Sequence, residues 1–158
     1  MPVSLICVGK SKDRSLQDLE KEYIKRLQPF TKVSVVEVRD EANARVEREG
    51  EARRVKDEEA KRVLEKIGPQ DYVVLLDLHG REVDSVAFAK KFEGLRDSGR
   101  PLVFVIAGSL GPGEELVKRA DWRWKLSDLT FTHLMTRVLV LEQLYRGCMI
   151  SAGRTYHK

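Results

Sequence analysis

The sequence predicts an α/β fold with a mostly parallel sheet flanked by helices. Three observations carry this reading. Apolar runs and amphipathic stretches alternate five times along 158 residues. Two of the runs, 71–78 and 102–107, are apolar almost without interruption, as strands covered by helices on both faces are. The connections are short, which suits strand–helix–strand units better than separate domains. A single domain, 1–158, is expected, since the chain is long enough for a proper core and too short for two.

The elements follow in order. Residues 3–9, apolar and closed by Gly9, form a first strand. Residues 15–30 carry Leu16, Leu19, Tyr23, Ile24 and Leu27 at spacings of three and four, one face of a helix. Ser15 is suited to cap its start, and Pro29 marks its end. Residues 32–39 alternate as a second strand. Residues 45–66 hold 15 charged side chains in 22, eight basic and seven acidic. Glu49–Arg53, Asp57–Lys61 and Glu58–Arg62 have the spacing of helix-supporting ion pairs. This face reads either as a solvated surface or as one turned toward RNA.

Residues 71–78 form a third strand, followed by a turn at His79-Gly80. Asp84 or Ser85 caps a helix through Leu95, with Phe88 and Phe92 inward. Residues 102–107 form the fourth strand, 114–120 a short helix, and 122–126 a fifth strand with both tryptophans on one face. Residues 133–149 form a long helix, apolar nearly all round, which suggests burial against another subunit.

Composition narrows the classes of function. Hydrophobic residues make up 42% and charged residues 34%, as in ordinary globular proteins. A net charge of +4 permits a nucleic-acid partner without requiring one. No apolar stretch reaches the roughly eighteen residues that a membrane span needs, and the N-terminus lacks the features of a signal peptide. A cytoplasmic protein with no membrane contact is expected. Cys7 and Cys148 read as buried thiols of a reducing compartment. With no CxxC motif or His/Cys cluster, no metal is expected.

Four places hold possible chemistry. The loop after the 102–107 strand carries Gly108, Gly111 and Gly113, and glycine lets a backbone approach something closely. Its spacing matches neither the dinucleotide nor the phosphate-loop motif. It reads either as a ligand edge or as a plain connection. The polar segment from Leu126 to His133 exposes backbone donors and acceptors, while its Thr132 also suits a helix cap. On the last helix, Arg137 has no acidic neighbour three or four positions away, so it needs a partner from elsewhere, a ligand included. Glu142 and Arg146, one turn apart, could form a simple surface pair. The tail, with Arg154, Tyr156, His157 and Lys158, is either frayed or part of a site.

From Phe104 onward the chain resembles the SPOUT class of RNA methyltransferases. Within it, the chain resembles the RlmH family, which methylates N3 of a pseudouridine in large-subunit ribosomal RNA. The matching residues are Phe104–Ser109, Leu126-Ser127-Asp128-Leu129-Thr130-Phe131 with His133, Arg137-Val138-Leu139, Glu142–Arg146 and the closing Tyr156-His157-Lys158. Ala107 replaces a glycine of the family pattern, and Thr132 replaces a proline. The resemblance implies a SPOUT fold with a C-terminal trefoil knot and a homodimer packed through the last helix. It implies S-adenosyl-L-methionine held by Leu76, Gly108, Leu126, Ser127, Asp128, Leu129, Thr130 and Phe131. His133, Arg137, Tyr156 and His157 are then the catalytic candidates. Arg137 is expected to steady an anionic base or a phosphate, and the tail to close over the pocket. His157 is the first candidate for the proton acceptor, which stays unassigned. The partner implied is the ribosome through its large-subunit rRNA; other RNAs such as tRNA, or a non-catalytic nucleotide-binding role, are the alternatives.

Overall fold

The computed structural model describes residues 2–41 and 49–158. The described elements are β1 (Val3–Val8), α1 (Arg14–Leu27), β2 (Val33–Val38), α2 (Glu49–Leu64), β3 (Tyr72–Arg81), α3 (Ser85–Asp97), β4 (Leu102–Ile106), α4 (Glu114–Arg119), β5 (Trp122–Trp124) and α5 (His133–Ser151). The sheet runs β2-β1-β4-β3-β5, and every neighbouring pair is parallel. The expected architecture is present. The first part of the charged stretch, 45–48, lies outside the described residues.

Side chains alternate across the sheet, and each face has its own layer of helices. Leu5, Cys7, Phe104 and Ile106 pack with Leu27 of α1, Phe88 and Phe92 of α3, and Leu141 and Leu144 of α5. Ile6, Val8, Val103 and Val105 pack with Ala60 and Val63 of α2 and Leu116 of α4. Both faces of β4 are therefore dry, which is why its sequence shows no polar alternation. The apolar surface of α5, read from sequence as a subunit contact, is largely covered by α1 and α3 of the same chain.

Local chemistry sets the ends of the helices. Asp84 accepts from the Ala87 N–H at 2.8 Å and caps α3. Asp13, not Ser15, caps α1 by accepting from the Leu16 N–H at 3.1 Å, because the helix begins one residue before Ser15. On α1, Leu19 is exposed and Glu20 is buried, the reverse of the apolar pattern. Glu20 turns inward because a guanidinium from α5 lies there.

The charged α2 also pairs beyond itself; the Glu49 side chain of the expected Glu49–Arg53 pair lies outside the described residues. Arg62 bonds to Glu41 and to the Arg39 carbonyl, and Arg53 lies 3.5 Å from Glu114. These contacts tie α2 to its neighbours, while within the helix Arg54 lies 3.8 Å from Glu51. β3 also runs past its expected end. Its pairing with β5 breaks between Leu76 and Arg81 and resumes. Gly80 sits so close to β5 that a Cβ there would lie 2.5 Å from the Arg123 carbonyl oxygen. The expected turn at His79-Gly80 is thus an excursion within a strand, permitted by the absent side chain.

Candidate active site

Parallel sheets bind ligands beyond the carboxyl ends of their strands. Three neighbouring strands bring the predicted residues to that edge: Gly108 follows β4, Leu76 ends the first paired stretch of β3, and Leu126–Phe131 follow β5. A cleft of about 520 Å³ opens beside the last of these. Leu126, Ser127 and Phe131 line it, facing Val83–Val86 at the start of α3, Leu139 and Gln143 of α5, and His157 of the tail. Phe88 and Trp124, stacked 4.5 Å apart, form its floor. Ser85 donates to Gln143 at 2.7 Å and pins α3 to α5 across it.

The loop 126–132 is braced by its own side chains. The Ser127 hydroxyl accepts from the Leu129 N–H at 3.0 Å. Asp128 pairs with Lys125, and that hydrogen bond holds the Asp128 carboxyl below its usual range. Thr132 accepts from the Met135 N–H at 3.3 Å, so it does cap α5. Leu129 is left 70% exposed at the tip, available to a partner or ligand.

The tail is not frayed. Tyr156 packs edge-on against Tyr145 with centroids 4.9 Å apart, and the Arg146 guanidinium lies 4.7 Å over the same ring. Arg146 also binds Glu142 at 2.7 Å, as its spacing suggested, and reaches His157. Burial, then the nearby Glu142 carboxylate, raises the Tyr156 phenol above its ordinary value.

His133 and Arg137 lie elsewhere, over the end of β1. Arg137 is 1% exposed. It donates to Glu37 at 2.7 Å and to the Gly9 carbonyl at 2.9 Å, with Glu20 at 3.9 Å. Glu37 also accepts from the Ser11 N–H at 2.8 Å. The partner from elsewhere that Arg137 needs is thus supplied within the chain. Within the chain its charge is buried and already answered. Glu37 is held below the usual carboxylate range by this hydrogen bond against the opposing effect of burial. Burial, then the charge of Arg137, lowers His133 below the ordinary histidine value. Burial pushes the Cys7 thiol up to about 12.

The glycine loop packs closely on α2. A Cβ at Gly108 would lie 2.9 Å from Glu59 Oε1, and one at Gly113 would lie 2.7 Å from the Lys56 carbonyl oxygen. What these glycines approach closely within the chain is α2. The described cleft touches neither Gly108 nor Leu76. Glu20, Glu37 and Glu59 were all hidden to sequence reasoning among ordinary surface charges. Glu20 alone left a signal, since it falls between Leu16 and Tyr23 on the apolar face.

Glu59 gives a pH prediction. Burial raises its carboxyl above 4.5. The folded state therefore holds this proton more tightly than the unfolded one. Its contribution to stability is greatest below the unfolded value and declines as pH rises through the raised one. Glu59→Gln should remove that slope, so its stability relative to the parent should improve from pH 4.5 to pH 7.5 in urea titrations. An unchanged difference would mean that Glu59 titrates normally.

The chain is similar to known proteins over its whole length. A family model described as predicted SPOUT methyltransferase matches residues 1–157. A "Ribosomal RNA large subunit methyltransferase H" from Desulfitobacterium hafniense (strain Y51) is 42% identical, over 100% of this chain and 99% of the relative. The protein of the same name from Streptococcus thermophilus (strain CNRZ 1066) is 41% identical over 100% of both. A solved structure of a probable methylase family protein from Haemophilus influenzae Rd KW20 superposes with a TM-score of 0.58 at 10% identity, covering 99% of this chain and 70% of that one. That likeness concerns the fold. No helix among the described residues is long and apolar enough to cross a membrane.

Proposed function

The chain belongs to the SPOUT methyltransferase family, and from that premise we propose that it methylates N3 of a pseudouridine in large-subunit ribosomal RNA, with S-adenosylmethionine as the methyl donor. The observation that carries this reading is the meeting of loop 126–131, the folded tail and the start of α3 around one cleft. Its volume of about 520 Å³ falls within the range of small-molecule sites. Its walls are mainly apolar, through Val83, Val86, Leu126, Phe131 and Leu139, with Asp84, Ser127, Gln143 and His157 as the polar groups. That chemistry fits a nucleoside joined to an amino acid. The backbone of 126–131 beside this cleft would hold the cofactor, together with Leu76 and Gly108 at neighbouring strand ends outside the cleft.

When bound, S-adenosylmethionine supplies a methyl group on a positively charged sulfur. The acceptor is an imide nitrogen, which must lose its proton as the new N–CH3 bond forms and the S–CH3 bond breaks, the electron pair staying on sulfur. The chain's part is to hold the acceptor in line, exclude water and take up charge at the acceptor's oxygens. Phe131 and Leu129 would shield one side of the site, and Tyr156 and His157 would close the other. Arg137, away from the cleft, would hold α5 against the end of β1 and with it His133. The proposal includes the family's C-terminal trefoil knot, with which the passage from β4 past β3 to β5 is compatible. It also includes a homodimer, for which Met135, exposed on α5, offers contact surface.

The test is transfer of label from S-adenosylmethionine to ribosomes taken from cells that lack the modification. Label is expected on large-subunit RNA and not on tRNA. No label on that RNA would sink the proposal. The double change Tyr156→Phe with His157→Ala should lower turnover by about a hundredfold. Unchanged turnover would remove the tail from the site.

A further inference from the structure

The contact between Arg146 and His157 bears on which ring nitrogen of His157 carries hydrogen. Arg146 Nη1 lies 3.1 Å from His157 Nδ1, and Arg146 Nε donates to Glu142 Oε1 at 2.7 Å. A guanidinium carries only donors. This contact is a hydrogen bond only if Nδ1 accepts, which requires the neutral imidazole with its hydrogen on Nε2. The guanidinium cannot turn away easily. Glu142 holds it from one side, and it rests on the Tyr156 ring at 4.7 Å. Tyr145 packs against that ring in turn. His157 meanwhile forms part of the cleft wall, together with Ser127 and Phe131.

We propose that Arg146, braced by Glu142, is a positioning residue that fixes His157 as the Nε2–H tautomer. His157 then serves the site as a hydrogen-bond donor and not as the acceptor of the imide proton. The inference rests on the methyl-transfer reading above. Its chemical target is a carbonyl oxygen beside an acidic imide N–H, as in a uracil-type ring. When that N–H is lost, negative charge spreads onto the flanking oxygens. A donor already aimed at one of them stabilises the charge without reorganising. A histidine whose Nδ1 is occupied by Arg146 and whose Nε2 carries hydrogen has no lone pair with which to take the proton. The proton leaves to water.

Two measurements test this, one of them independent of turnover. Long-range nitrogen–proton NMR of the full chain at pH 7.5 resolves three histidines, and His157 is assigned by its loss in His157→Gln. Only the Nε2–H form of His157 is expected in the parent protein. Arg146→Met should release the mixture of tautomers that an unrestrained imidazole shows. An Nδ1–H form, or a mixture already present in the parent, would overturn the proposal. In the transfer assay, His157→Gln keeps an N–H donor but offers no basic nitrogen. It should retain kcat within about tenfold of the parent, while His157→Ala loses about a hundredfold. Equal loss in the two variants would make His157 the base and overturn the proposal. If the parent protein transfers no methyl group at all, the methyl-transfer reading fails, and the NMR result still decides the tautomer.

Discussion

Arg137→Met should destabilise the protein by about 3 kcal/mol, the scale expected when one partner of a buried ion pair is removed. The reason lies in what remains. Glu20 keeps a side chain only 8% exposed, and Glu37 one that is 35% exposed. Glu37 regains some water, while Glu20 gains none. The Gly9 carbonyl also loses its donor. Methionine fills the volume, so the loss is electrostatic rather than a cavity. Adding Glu20→Gln should restore part of the stability, because the stranded carboxylate is then neutral. Urea denaturation of the two variants measures both effects. Full stability in Arg137→Met together with abolished methyl transfer would return Arg137 to the substrate.

Phe88→Ala should cost about 3–5 kcal/mol, the range for truncating a buried aromatic ring. Phe88 is 1% exposed and stacks on Trp124, Phe92 and Trp122 at 4.5, 5.8 and 6.2 Å. It also forms part of the floor of the cleft. Its removal loosens the join of α3, α5 and β5, so tryptophan fluorescence should change along with stability. Phe88→Leu keeps most of the apolar volume and should recover more than half of the loss. A cost below about 1 kcal/mol for Phe88→Ala would mean that the site collapses or admits water freely.

Much of the fold was readable in the sequence because it depends on period and punctuation. The unbroken apolar run of β4 announced burial on both faces, and the two helical layers supply it. The stacked tryptophans of β5 lie on one face, as their alternation required. Asp84 and Thr132 cap the helices that they precede. Where the reading missed, long-range partners had overruled local pattern. Glu20 is buried and Leu19 exposed because Arg137, more than a hundred residues away, occupies the core side of α1. Gly108 and Gly113 are small because α2 leans on them. The tail, whose five residues carry no pattern of their own, is ordered by Tyr145 and Arg146.

The sequence alone determined the layered α/β class, the parallel sheet and the small set of residues from which a site is built. Those features follow from local periodicity, glycine and proline placement, and motif spacing, all of which act within a few residues. Only the tertiary structure decided which of the four catalytic candidates reaches the cleft. It set His157 beside loop 126–131 and Arg137 over the end of β1, in an ion pair with Glu37. Charge pairing and burial depend on groups brought together across the whole chain, and no local pattern records them.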